Sequence, residues 1–98
     1  MRNGSVDGLP PLHSGMRVED WSAAFTAAYD DFCRRVDAGE ATEIDPYAAE
    51  SPAEFFAVLT EYFFEWPRAL SNLYPAVYAQ MRQYYRQDPL QRQERDSP

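Results

Sequence analysis

Few side chains in this sequence combine the right type with a spacing that could do chemistry. There is one histidine, His13, in a Pro-Pro-Leu-His stretch. A zinc or other transition-metal site needs three or four ligands, so His13 alone reads as a surface residue. There is also one cysteine, Cys33, which excludes an internal disulfide and fits a reducing compartment. It falls in a helical pattern, where a free cysteine acts as a small buried hydrophobe. The serines lack the context of a nucleophile elbow, and no glycine-rich loop suits phosphate. What remains is carboxylate chemistry: Asp30 and Asp31 in one segment, and Glu54, Glu61 and Glu65 in another. Both groups read first as solvated helix surface. Glu54 also has a local structural role. Ser51, Pro52 and Glu54 form a Ser-x-x-Glu capping box, with proline where its missing N–H costs nothing.

The elements that would carry these residues follow from periodicity. Residues 1–17 hold three glycines and two prolines and read as a loop with turns, punctuated by the apolar Val6, Leu9 and Leu12. Residues 18–38 read as an amphipathic helix on Trp21, Phe25, Ala28, Phe32 and Val36. Its acidic residues Glu19 and Asp20 suit the start, Arg34 and Arg35 suit the end, and Gly39 is a C′ residue. Residues 40–50 form a polar connection in which Asp45-Pro46 favours an extended or turn conformation. The core helix spans 52–65, with Phe55, Leu59, Tyr62, Phe63 and Trp66 on one side, Phe56 at its margin, and the three glutamates opposite with Val58. Residues 67–87 give a short helix and then a last helix opened by Pro75, with Val77, Tyr78, Met81, Tyr84 and Tyr85 as its apolar side. Residues 90–98 are a polar, frayed tail. Three to four helices with short links and no strand predict an all-α fold.

Bulk properties narrow the function class. The chain has 98 residues, 45% of them hydrophobic, enough for one domain or part of one. A net charge of −7 leaves no basic stripe to track phosphates, so direct nucleic-acid binding is not expected. No apolar run approaches the roughly 20 residues of a membrane span, and the polar start carries no signal-peptide pattern. These features predict a cytoplasmic location.

The order of the residues says more than their composition. Ile44-Asp45-Pro46-Tyr47-Ala48-Ala49, then Pro52-Ala53-Glu54-Phe55-Phe56 running on to Phe64, and then Tyr84-Tyr85-Arg86-Gln87-Asp88-Pro89 through Arg92 closely resemble the C-terminal part of the Mlc titration factor A family of bacterial zinc metallopeptidases. The opening Met1-Arg2-Asn3-Gly4 and Gly8-Leu9-Pro10 are similar as well. The resemblance implies the C-terminal helical portion of a zincin-like metallopeptidase domain, most closely an aminopeptidase, cleaving peptide substrate. In that family, as in the similar catalytic domain of anthrax lethal factor, a glutamate on a downstream helix is the third zinc ligand. A tyrosine seven residues earlier stabilises the tetrahedral intermediate. The matching positions here are Glu54 as metal ligand and Tyr47 as catalytic residue; their bland alternatives are a helix cap and a packing residue.

The resemblance further implies that the zinc-binding His-Glu-x-x-His helix belongs just before Met1. Two histidine ligands and the glutamate base are therefore expected outside these 98 residues. The chain alone is expected neither to bind zinc tightly nor to catalyse. The family also implies a partner, the glucose-regulating Mlc repressor. The alternative reading is a non-catalytic helical module that binds this transcriptional repressor, its acidic charge suiting a basic face.

Overall fold

A computed structural model describes residues 12–91. Four α-helices and one short 3-10 helix make up the architecture: α1 Val18–Asp37, the 3-10 helix Pro46–Glu50, α2 Pro52–Glu65, α3 Pro67–Leu73 and α4 Pro75–Tyr85. The described residues contain no strand, and no helix among them is long and apolar enough to cross a membrane. The all-α expectation therefore holds.

Proline sets the rhythm after α1. Pro46, Pro52, Pro67 and Pro75 each open a helix at its first position, where the fixed φ is already helical and no donor is lost. Each residue before a proline is pushed away from the helical region. Ser51 lies at φ −164°, ψ 160°, Trp66 at φ −136°, ψ 62° and Tyr74 at φ −139°, ψ 75°. These bends separate α2, α3 and α4 with a single residue at each junction. Ala38 and Gly39 end α1 in a Schellman turn: Gly39 N–H donates to Val36 O and Glu40 N–H to Arg35 O, both at 3.0 Å, with Gly39 at φ 76°. The last helix ends at Tyr85, two residues before Gln87. Arg86 takes the left-handed conformation at φ 56°, and the chain doubles back to bring Asp88 and Leu90 beside Tyr78.

One core holds these helices. Trp21, Ala28 and Phe32 of α1, Phe55, Leu59 and Phe63 of α2, Leu70 of α3, and Val77, Tyr78 and Met81 of α4 are buried, as are Ile44 and Ala48 in the connection. The rings meet edge-on or tilted, as in Phe63–Tyr78 at 5.2 Å and Trp21–Tyr84 at 5.5 Å, arrangements worth about 0.5–1.5 kcal/mol per pair beyond area burial. Thr60 Oγ1 and Tyr85 Oη, 3.2 Å apart, add a polar tie between α2 and α4.

Several side chains depart from the sequence reading. Trp66, placed on the apolar side of α2, is 53% exposed, because the backbone leaves the helix at that residue; its ring lies tilted against Tyr62, at 5.1 Å. Val58, placed with the glutamates, packs partly against the core. His13 is not a free surface residue. It is half-buried, its Nε2 lies 2.6 Å from Tyr84 O, and its ring stacks on Tyr84. Cys33 is half-buried instead of fully enclosed. Asp31 is no solvated carboxylate: it accepts from Arg34 and Arg35 at 2.8 Å each and from Tyr74 Oη at 3.0 Å, which ties α1 to the start of α4. Leu12 and Leu90 pack against the core, whereas Val6, Leu9, and the tail from residue 92 lie outside the described residues.

Candidate functional site

Tyr47 and Glu54 come together at the junction of the 3-10 helix and α2. The sequence builds this junction one turn at a time. Asp45, held extended by Pro46, turns its carboxylate back so that Oδ1 accepts the Tyr47 N–H at 2.9 Å, and Ala48 N–H donates to Asp45 O at 2.9 Å. Ile44 and Ala48 are buried to either side, so the residue between them on the turn, Tyr47, projects outward and is 54% exposed. Glu50 then ends the short helix, and Ser51 starts α2. Ser51 Oγ accepts the Glu54 N–H at 3.2 Å, which is the forward half of the capping box.

The negative charge of the Glu54 carboxylate is the largest influence on the Tyr47 phenol and pushes it above its ordinary pKa, with Glu50 acting in the same direction. Tyr47 thus stays a neutral O–H donor throughout the physiological range. A helix cap needs only the Ser51–Glu54 backbone bond. The influence of Glu54 on Tyr47 is a further feature, and it links the two positions that the family resemblance implies.

The surrounding polypeptide fixes both partners. Tyr62 Oη donates to Glu43 O at 3.0 Å and Thr42 Oγ1 to Ile44 O at 2.7 Å, pinning the connection where it approaches α2. From the other side, Tyr29 Oη donates to Ala49 O at 2.9 Å. Glu54 lies in the first turn of α2, capped by Ser51 and followed by the buried Phe55, so its backbone is fixed by the cap and by the core. Sequence reading did not identify Tyr29, Asp45 or Tyr62 as supports. Asp45-Pro46 was a usable signal for the turn, but the two tyrosines act across 20 and 19 residues and leave no local pattern.

The donor set bears on a metal. Among the described residues no group of three or more His, Cys, Asp or Glu side chains converges. Glu54 is a single carboxylate, half-exposed on a rigid first turn, and the oxygen chemistry fits one position of a His₂Glu zinc set. Elsewhere the surface has a groove of about 700 Å³ between α1 and α4, lined by Ala23, Ala27, Ala76 and Ala79 among others, and it does not include Tyr47 or Glu54.

The family model for the glucose-regulated metallo-peptidase M90 matches residues 1–86. Mlc titration factor A of Edwardsiella ictaluri is 46% identical over 95 residues, covering 94% of this chain and 36% of the relative. The proteins of the same name from Serratia proteamaculans and Yersinia enterocolitica are 42% and 44% identical, each over 97% of this chain and over 37% and 36% of their own length. The chain therefore spans little more than a third of the relatives it matches, consistent with their C-terminal part. On these matches the chain belongs to the glucose-regulated metallo-peptidase M90 family.

Proposed function

We propose that this chain is the C-terminal part of a zinc-dependent metallopeptidase, an aminopeptidase acting on peptides in the cytoplasm, in which Glu54 is a metal ligand and Tyr47 a catalytic hydrogen-bond donor. The observation that carries this reading is the membership of the chain in a metallopeptidase family, supported by the placing of Glu54 in the first turn of α2, where its charge acts on the exposed Tyr47. When bound, the metal supplies Lewis acidity and lowers the pKa of water. Glu54 contributes a fixed anionic oxygen, held by the capping turn and by the burial of Phe55 beside it. Tyr47 presents a neutral O–H to the substrate carbonyl as negative charge develops on its oxygen. Its exposure leaves that hydroxyl open to an arriving peptide. The relatives' name also connects them with the Mlc repressor, and an acidic chain of net charge −7 suits a basic face on such a partner; the non-catalytic alternative is this binding alone.

The test is Glu54→Gln in a chimera that joins the N-terminal remainder of the Edwardsiella ictaluri relative to this chain. A cap works with glutamine as well as with glutamate, so the metal-free fold should change by less than about 1 kcal/mol. A zinc ligand loses its charge in that exchange, so metal content and peptidase activity should both collapse. If Glu54→Gln binds zinc and cleaves peptides like the parent, Glu54 is only a helix cap and the reading fails. Retention of the Mlc repressor by the inactive variant would favour the alternative as a separate role.

A further inference from the structure

We propose that Tyr29 is a positioning residue that sets the Tyr47 hydroxyl against the Glu54 carboxylate. The inference rests on the roles just assigned to Tyr47 and Glu54, and its geometry is independent of them. Tyr29 lies in the middle of α1 and touches both elements of the site with different parts of one side chain. Its hydroxyl donates to Ala49 O at 2.9 Å, two residues after Tyr47. Its ring meets the Phe55 ring edge-on at 5.2 Å, one residue after Glu54. A single phenol therefore bridges the 3-10 helix and the first turn of α2.

The bridge reinforces a short 3-10 helix whose own bonds lie at its opening, at Tyr47 N and Ala48 N. That helix has five residues, poor intrinsic hydrogen-bond geometry and extended backbone at Ser51 immediately after it. Ala49 O lies in its last turn, where carbonyls have no partner further along the helix. Tyr29 fills that acceptor from a neighbouring helix, and the Cys33 thiol, 4.0 Å from the same oxygen, is a weak second donor. Burial is the largest influence raising the Tyr29 pKa, so the phenol stays protonated and able to donate. The other supports, Asp45 and Tyr62, act on the opening of the connection at Tyr47 N and Glu43 O. Tyr29 fixes its closing end and ties it to α2.

Tyr29→Phe is the discriminating change, since it removes one oxygen and leaves the ring on Phe55. Two measurements test it. In the 98-residue chain, amide exchange at Tyr47 and Ala48 should quicken by about tenfold, the value of one hydrogen bond, while the interior of α4 keeps its rates. Unchanged exchange at 46–50, or equal acceleration in α4, overturns the proposal. In the chimera described above, Tyr29→Phe should lower kcat about tenfold with KM and zinc content nearly unchanged, and add nothing when Tyr47 is already phenylalanine. An equal loss in both backgrounds would mark Tyr29 as merely structural and overturn it. If Tyr47→Phe by itself leaves turnover intact, the catalytic role of Tyr47 fails, and the exchange measurement alone then decides whether Tyr29 holds the turn.

Discussion

Tyr78 and Tyr47 each face a carboxylate, and the two pairs have opposite fates. Tyr78 is 7% exposed, inside α4, and its hydroxyl is fully used: it donates to Asp88 Oδ1 in a short bond and accepts the Leu90 N–H at 3.0 Å. Asp88 is tied further by Gln91 N–H at 3.3 Å and by Arg82 at 3.7 Å. Every bond of that cluster runs to the chain itself, and together they fold the segment after α4 back onto its helix. Tyr47, 54% exposed, meets Glu54 at a junction between two elements, and glutamates are the charges that act on its phenol. A phenol–carboxylate pair becomes a structural latch when the polypeptide consumes its hydrogen bonds. The same pair held at a surface junction remains available to a ligand.

The sharpest way to break this comparison is to delete the two hydroxyls separately. In the chimera with the Edwardsiella ictaluri N-terminal remainder, Tyr47→Phe should keep zinc and lower turnover by roughly 10²–10³-fold, the usual cost of one oxyanion donor. Tyr78→Phe should leave turnover per folded molecule unchanged. Equal activity losses from the two variants would mean that Tyr47 is another latch.

Stability should invert that order. Tyr78→Phe leaves the Leu90 N–H and the Asp88 carboxylate without their shared partner in a largely buried position, at a cost of about 1–3 kcal/mol in urea unfolding. Tyr47→Phe at its exposed site should fall within about 0.5 kcal/mol of the parent. A Tyr78→Phe variant as stable as the parent would show that Asp88 and Leu90 are held by other means.

How far these two regions could be read in advance depends on the range of the interactions. The Ser51-Pro52-Glu54 signal located the start of α2, Pro67 and Pro75 located the starts of α3 and α4, and Gly39 located the end of α1, because each acts within one turn of chain. The 3-10 helix was hidden in a polar connection because five residues show no period. Asp31 looked like solvated surface because its partner Tyr74 is 43 residues away, and His13 looked free because Tyr84 is 71 residues away. Trp66 followed the helical wheel of α2, yet the Pro67 ring excludes the helical conformation at the residue before it and takes its backbone off that wheel. The Tyr47–Glu54 site was legible only through family resemblance. Seven residues that cross a 3-10 turn and a helix cap form no periodic pattern, and composition alone left Glu54 as a cap.

High pH offers a broader test of the latch. Burial, the largest influence, and the Asp88 hydrogen bond raise Tyr78 to about 12, and burial with the Asp31 hydrogen bond raises Tyr74 to about 12. A folded pKa above the unfolded value of about 10 means that the neutral phenol is favoured in the fold. The stability it contributes is complete below about pH 10 and is lost as pH rises through the folded values. Urea midpoints should therefore fall between about pH 10 and pH 12, and Tyr78→Phe, lower throughout, should fall less steeply. Identical slopes for parent and variant would dissociate Tyr78 from alkaline unfolding.

The acid side should give the smallest effect, and its sign is opposite. The hydrogen bond from Tyr78, the leading influence, and the pull of Arg82 hold the Asp88 carboxyl below its usual range, despite some burial. Asp31 is likewise lowered, first by its hydrogen bond from Arg35 and then by Tyr74. For both groups the folded state favours the anion. Their stabilisation is complete above the unfolded value of about 3.9 and is lost as pH falls through the depressed folded values. Both side chains keep partial solvent contact, 29% for Asp88 and 27% for Asp31, so screening by water and salt keeps the gain modest. Asp88→Asn should remove part of the stability lost between about pH 4 and pH 2, and raising the salt concentration should shrink the difference between variant and parent. An Asp88→Asn variant whose acid limb coincides with that of the parent would dissociate Asp88 from acid unfolding and undo its assignment as part of the latch.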